Sequence, residues 1–275
     1  MFYSDEMSDT VVEEPHYLVE RDGHILTVTL NRPAAKNAFS PSMLVGVADA
    51  WKLLDEDPEL RVGILTGAGG DFCSGMDLKA LAAGFSDEEM ARMAEDPDLH
   101  WKALLRHFRP SKPIVAAVEG YCVAGGTEIL QATEIRVVAE DAQLGISEVR
   151  RGLFPLGGST VRLQRQIPFT MAADLLLTGR MISAQEAKEI GLIGHVVPKG
   201  QALAKARELA EMIAENGPLA VKAVLKSMRE TADLPMSEAL AHELTIGEPI
   251  IFHTNDAKEG PRAFKEKRKP NFTGT

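Results

Sequence analysis

The stretch Glu119–Glu148, EGYCVAGGTEILQATEIRVVAEDAQLGISE, decides how the rest of the chain is read. It follows Ile114–Val118, an apolar run rich in β-branched residues between Pro113 and Gly120, which predicts a buried strand. Past Gly125-Gly126 the spacing changes. Ile129, Leu130 and Ala132 suit the buried stripe of a short helix, so the glycines fall where strand gives way to helix. Glycine permits close backbone approach to a ligand, and the first amides of a helix are free donors at the positive end of its dipole. Such a turn favours developing negative charge. Glu128 sits one turn into that helix, and Glu148 follows a further strand-like run, Ile135–Ala139. Alternatives stay open here: a Gly-Gly pair after a strand is often only a tight turn, and one glutamate on a helix often only faces solvent.

A second glycine-dense segment, Thr66 to Lys79 (TGAGGDFCSGMDLK), follows the short apolar strand Val62–Leu65. Its glycines make neither GxGxxG nor GxxxxGK[ST], and the chain has no GxSxG elbow. What remains is a turn whose amides could face a ligand, or a plain surface loop.

Bulk properties narrow the partners. A chain of 275 residues, 45% hydrophobic and 25% charged, has an ordinary soluble composition and can bury a sizeable core. A formal charge of -10 and a pI near 5.3 argue against nucleic acid as a partner. No apolar run approaches the length of a membrane span. Cys73 and Cys122 are too few for a metal cluster or a disulfide framework and read as small buried residues, which favours a reducing compartment. The first sixteen residues carry five acids and no Lys or Arg, unlike a secretory or transit segment, so residues 1–16 are expected to be a mobile N-terminus of a cytoplasmic protein.

Along the chain, Tyr17–Glu20 and Ile25–Leu30 predict a hairpin across Asp22-Gly23. Ser40-Pro41 opens a helix whose Leu44, Val47, Ala48, Trp51 and Leu54 face a core. Gly84, Ser86 and Pro97 mark Ala80–Phe108 as a mobile wall. Helices are expected over Ser159–Ile167, Thr170–Thr178 and Ser183–Ile190, the last two stopped by Gly179 and Gly191. Beyond Val197-Pro198 the pattern is helical, with stripes Leu203, Ala206, Ala210, Ile213 and then Val221, Val224, Leu225, Met228. Such stripes fit either packing on the chain's own core or an oligomer interface.

Taken together these segments resemble the enoyl-CoA hydratase/isomerase (crotonase) superfamily over nearly the whole chain. FCSGMDLK is similar to its first oxyanion motif and GYCVAGGTEI to its second; LGISE, GLFPLGG, LTGRMISAQEAKEIGLIGHVV and EGPRAFKEKRKPNF follow in family order. The resemblance implies an α/β fold, a spiral of ββα repeats over residues 17–197 carrying the site, with a helical trimerisation region over 198–275. It implies that the amides of Met76 and Gly125 hold a thioester oxygen, so that Met76 need supply only a backbone direction. Ala35, Lys36, Asn37, Met76, Asp77, Leu78 and Lys79 would line a coenzyme A channel, and Phe264 and Lys267 would meet CoA on a neighbouring subunit. Glu128 would activate water and Glu148 would protonate C2. The implied reaction is hydration of a trans-2-enoyl-CoA without metal or redox cofactor, CoA being part of the substrate, in a trimer or dimer of trimers. An isomerase, or a CoA-ester-binding protein without catalysis, are the alternatives. Leu156 stands after the proline of GLFPLGG where many hydratases have glycine, which puts a short-chain preference in doubt.

Overall fold

Hairpin strands β1 (Tyr17–Asp22) and β2 (Ile25–Leu30) pair antiparallel across Gly23, whose φ of 55° lies in the left-handed region that a tight two-residue turn requires. From β2 the sheet continues in parallel through β3 (Val62–Gly67), β4 (Ile114–Val118), β6 (Ile135–Ala139) and β9 (His195–Val197). A second sheet holds β5 (Tyr121–Val123), β7 (Gln143–Gly145) and β8 (Met181–Ser183). The chain steps between the two: β4 into β5, β6 into β7, and β8 back to β9. This alternation is the spiral of a crotonase-type fold.

The computed structural model describes residues 15–275. Most of the expected mobile N-terminus therefore lies outside the described residues. Its last two positions are fastened, because Pro15 O and His16 O accept bonds from Asn31 and His16 Nδ1 meets Ser40 Oγ at 2.8 Å.

The inner strands β3, β4 and β6 are buried on both faces, which is why they read as apolar runs, whereas the edge strand β1 is exposed. Leu26, Val28, Leu65, Ala116 and Val118 point into the main core with helix α1 (Pro41–Glu56). That helix starts where the Ser40-Pro41 signal places it, with Ser40 Oγ accepting from Met43 N–H at 3.3 Å. Ile25, Val62, Ile64, Val115, Ala117 and Val137 point the other way, onto Ala202, Ala206 and Ala210 of α9 (Ala202–Ala214). Alanine on that helix face lets α9 lie close against the sheet, so packing does not change character at 197/198. Leu203, expected in the stripe, is largely exposed instead.

Residues 78–103 form α2 (Leu78–Ala83), α3 (Asp87–Glu95) and α4 (Leu99–Ala103). Ser86, one of the residues that mark the expected mobile wall, caps α3 in a reciprocal box with Glu89. Trp51 Nε1 donates to Ala103 O at 3.0 Å, tying α4 to α1. The short helix α5 (Gly125–Leu130) precedes β6, and α6 (Ser159–Gln166), α7 (Phe169–Thr178) and α8 (Ala184–Glu189) follow β7. Gly179 and Gly191 take φ of 64° and 85° as the expected stops. Helices α10 (Pro218–Glu230), α11 (Met236–His253) and α12 (Asp256–Glu266) complete the chain. Of the expected α10 stripe only Leu225 is buried; Val224 and Met228 are exposed, as are Leu240, Leu244 and Phe252 of α11. No helix among the described residues is long and apolar enough to cross a membrane.

Candidate active site

The two glycine-rich turns are zipped together by their backbones. Cys73 and Cys122 face each other as a parallel bridge; Cys73 N–H donates to Tyr121 O and Val123 N–H to Cys73 O, both at 2.9 Å. Both cysteines are fully buried free thiols, as expected, and burial raises each well above its ordinary pKa. The zip leaves no room for side chains at its end. A Cβ on Gly126 would lie 2.4 Å from Cys73 O, and one on Gly75 would lie 3.2 Å from Gly125 N. Gly125 Cβ would in turn be 3.8 Å from Met76 N, so the Met76 and Gly125 amides are neighbours across the gap. Neither N–H finds an acceptor among the described residues.

Ala124 pays the local cost of aiming one of these amides. It has φ 52° and ψ −124°, sparsely populated for a residue with a Cβ, and this turns the Ala124–Gly125 peptide out of helical alignment. The surroundings over-determine the turn. Ala124 N–H donates to Gly145 O at 2.8 Å, and the buried Thr127 hydroxyl shares its proton between Cys122 O at 2.6 Å and Gly145 O at 2.9 Å.

Two carboxyl groups, Glu128 and Glu148, reach the same cavity of about 880 Å³ that Met76, Ala124 and Gly125 line. Glu128, on α5, is only 4% exposed. Its Oε1 accepts from Ser159 N–H at 3.3 Å, and a Cβ on Gly157 would fall 2.4 Å from its Oε2. Burial raises its pKa, while the Ser159 and Gly157 N–H groups and the Arg162 charge pull the other way. Glu148 opens the 3₁₀ turn Glu148–Arg151 directly after β7. Its Oε2 is buried with no hydrogen-bond partner among the described residues. Burial, then the nearby Glu128 carboxylate, push its pKa up to about 7. The pair can therefore hold one proton near neutrality, on the member with the poorer partners.

The other expected residues divide. Lys36 and Leu78 line the cavity, Lys36 with its Nζ 3.7 Å from the Tyr121 ring centroid and 3.7 Å from Asp71 Oδ2. Asn37 is not among the cavity-lining residues: it is fully buried, accepting from Arg32 N–H at 2.8 Å and donating to Ala68 O and Asp71 O at 2.8 and 2.6 Å. Its left-handed φ of 54° and short amide side chain suit this clamp between loops. Asp77 is likewise occupied, capping α2 through Lys79 and Ala80 N–H and pairing with Arg32 at 2.9 Å. The Ala80 N–H bond foremost, with the Arg32 pair, holds its carboxyl below the ordinary range. Ala35 and Lys79 lie outside the cavity lining. So do Phe264, 87% exposed on α12, and Lys267, its left-handed C-cap; within one chain they do not meet the carboxyl pair.

Sequence reasoning missed Ala124, Gly157 and Ser159; it placed a wall within Ala80–Phe108 without singling out His100 and Trp101, which line the cavity from α4. The GLFPLGG segment drew attention to Leu156, whereas the glycine after it is what makes room for Glu128. Leu156 does line the cavity, with Leu153 and Phe154, and all three are exposed. No group of three or more metal-binding side chains is assembled among the described residues.

A chain that steps between two sheets and sets two backbone turns against one cavity is a crotonase-type α/β protein. This chain belongs to the enoyl-CoA hydratase/isomerase family, which it matches over residues 20–275. It is 57% identical over 263 residues to enoyl-CoA hydratase EchA19 of Mycobacterium tuberculosis, spanning 96% of this chain and 98% of that one. It is 36% identical to a carnitinyl-CoA dehydratase of Salmonella typhi, over 92% of this chain and 97% of the relative. In structure it is similar to enoyl-CoA hydratase EchA1 of Mycobacterium marinum, with a TM-score of 0.87 and 45% identity over 95% of this chain and all of that one.

Proposed function

We propose that this protein hydrates the double bond of a trans-2-enoyl-CoA to give a 3-hydroxyacyl-CoA. The observation that carries it is the cavity in which two unpartnered amides, Met76 and Gly125, adjoin two carboxyl groups held in unlike surroundings. Addition of water at C3 drives electron density into the thioester oxygen, and two donors fixed beforehand on that oxygen lower the barrier by a few kcal/mol each, about 2.7–4 for a single oxyanion-hole donor. Glu128, with N–H partners, is the ionised member that orients and deprotonates water. Glu148, with a bare buried oxygen, carries the proton delivered to C2. The family and the hydratase relative support an acyl-CoA substrate.

Lys36 stands at the cavity as the cation for the CoA moiety, and the exposed apolar trio Leu153, Phe154 and Leu156 is suited to covering an acyl group larger than a short chain. The exposed apolar residues of α10 and α11, with Phe264 and Lys267 lying away from the chain's own cavity, support a homo-oligomer in which α12 approaches a neighbouring site. The test is spectroscopic. A 2-enoyl-CoA should lose its conjugated absorbance on adding the protein. If that absorbance is stable while a 3-enoyl-CoA gains it, the protein is an isomerase; if neither changes while CoA esters bind, it is a binding protein.

A further inference from the structure

We propose that Arg162 is a positioning residue that helps keep Glu128 ionised, so that Glu148 carries the proton. The proposal rests on the two-carboxyl reaction above, and its starting observation is separate: a guanidinium on α6 gripping three carbonyls around Glu128. Arg162 Nη1 donates to Glu128 O at 3.3 Å and to Gly157 O at 3.2 Å, while Nη2 donates to Leu105 O at 2.5 Å. Leu105 holds a left-handed φ of 54° to present that carbonyl. The two glycines of GLFPLGG then have separate duties. Gly157 clears space for the Glu128 carboxylate, and Gly158, at φ 119°, clears it for the guanidinium, since a Cβ there would lie 3.1 Å from Nη1.

The grip falls on the backbone of Glu128, so the carboxylate stays free for water while a positive charge sits close behind it. A cation in that position favours the ionised form. Glu128 is faced by Glu148 across the cavity, by the Ser159 and Gly157 N–H groups, and by Arg162, with Arg106 and Arg109 behind the guanidinium. Glu148 has no comparable grip, and its neighbour Arg151 is exposed. The arginine thus reinforces an asymmetry that the Ser159 and Gly157 N–H groups begin, since both act on Glu128 and neither on Glu148. Arginine suits the task because it stays charged even though burial lowers its pKa to about 10.

The experiment has a readout independent of turnover. Carboxyl ¹³C signals of the substrate-free protein, assigned with Glu128→Gln and Glu148→Gln, give the order of titration. In the unaltered protein Glu128 should ionise at lower pH than Glu148. In Arg162→Gln the Glu128 midpoint should rise by about one pH unit or more. The acidic limb of kcat/KM should move with it, while KM changes less than kcat. Arg162→Lys, which keeps the charge but not the fork, should return the limb most of the way, and Arg165→Gln on the exposed side of the same helix should leave it in place. An unchanged Glu128 midpoint in folded Arg162→Gln overturns the proposal. So does Glu128 titrating above Glu148 in the unaltered protein, a measurement that needs no Arg162 variant to fold. Absence of hydratase turnover with the expected titration order would instead count against the function and leave Arg162's role standing.

Discussion

Glu148→Gln is the substitution whose consequences the structure specifies most closely. Burial lifts the carboxyl from its ordinary 4.5 to about 7, so the folded protein binds a proton there more tightly than the unfolded chain does. A raised carboxyl pKa means stability that is present at low pH and lost as pH climbs through the folded value. The window is therefore roughly pH 4.5 to 7. Two and a half units correspond to about 3.4 kcal/mol at most, and partial exposure of the side chain reduces this to about 1.5. Gln keeps the shape without the charge. The variant should match the parent in stability near pH 5 and exceed it by about 1.5 kcal/mol at pH 8, which is a rise of several degrees in melting temperature for a chain of this size. Turnover should fall about 10²–10⁴-fold, with CoA-ester binding nearly intact. Urea melts at pH 5, 6, 7 and 8, run alongside steady-state assays, measure both. A stability difference that does not change with pH would refute the desolvated-acid assignment, whatever happens to turnover.

Neighbouring glycines should separate catalysis from folding. Gly125→Ala meets only ordinary contacts, the nearest at 3.4 Å, and should fold while losing about 10²-fold in kcat because its methyl narrows the gap beside the Met76 amide. Gly126→Ala places a Cβ 2.4 Å from Cys73 O and should instead cost folding, read as lost soluble yield or a low melting temperature. Asn37→Ala removes three bonds at a buried site and should destabilise by about 2–3 kcal/mol in denaturant melts, with KM for the CoA ester little altered. Gly157→Ala should displace the Glu128 carboxylate and abolish hydration while circular dichroism stays unchanged.

Much of this architecture was readable from pattern. Ser40-Pro41 marked a helix start, Gly179 and Gly191 marked ends, and the apolar runs marked strands buried on both sides. The two amides and the two acids were legible only through their resemblance to a family, since glycine density alone fits an idle loop equally well. Asn37 and Asp77 show the limit. Both lie in motif segments, but a short polar side chain in a left-handed or capping position satisfies backbone groups first, and motif spacing does not reveal which atoms are already engaged. Arg162 left no trace because its partners are carbonyls on three separate segments, brought together only by folding. The stripe of α9 was half legible: its alanines did mark a buried face, but the receiving surface was the sheet.

The seam between the two glycine-rich turns is made almost wholly of neutral peptide groups, with the Asp71 carboxylate on Tyr121 N–H at its outer edge. A scaffold of that kind is indifferent to ionic strength and to acidity over the range in which the glutamates ionise. Changing the medium would then retune the acids without warping the backbone cradle beside them, so buffer effects on this protein become a direct readout of proton occupancy.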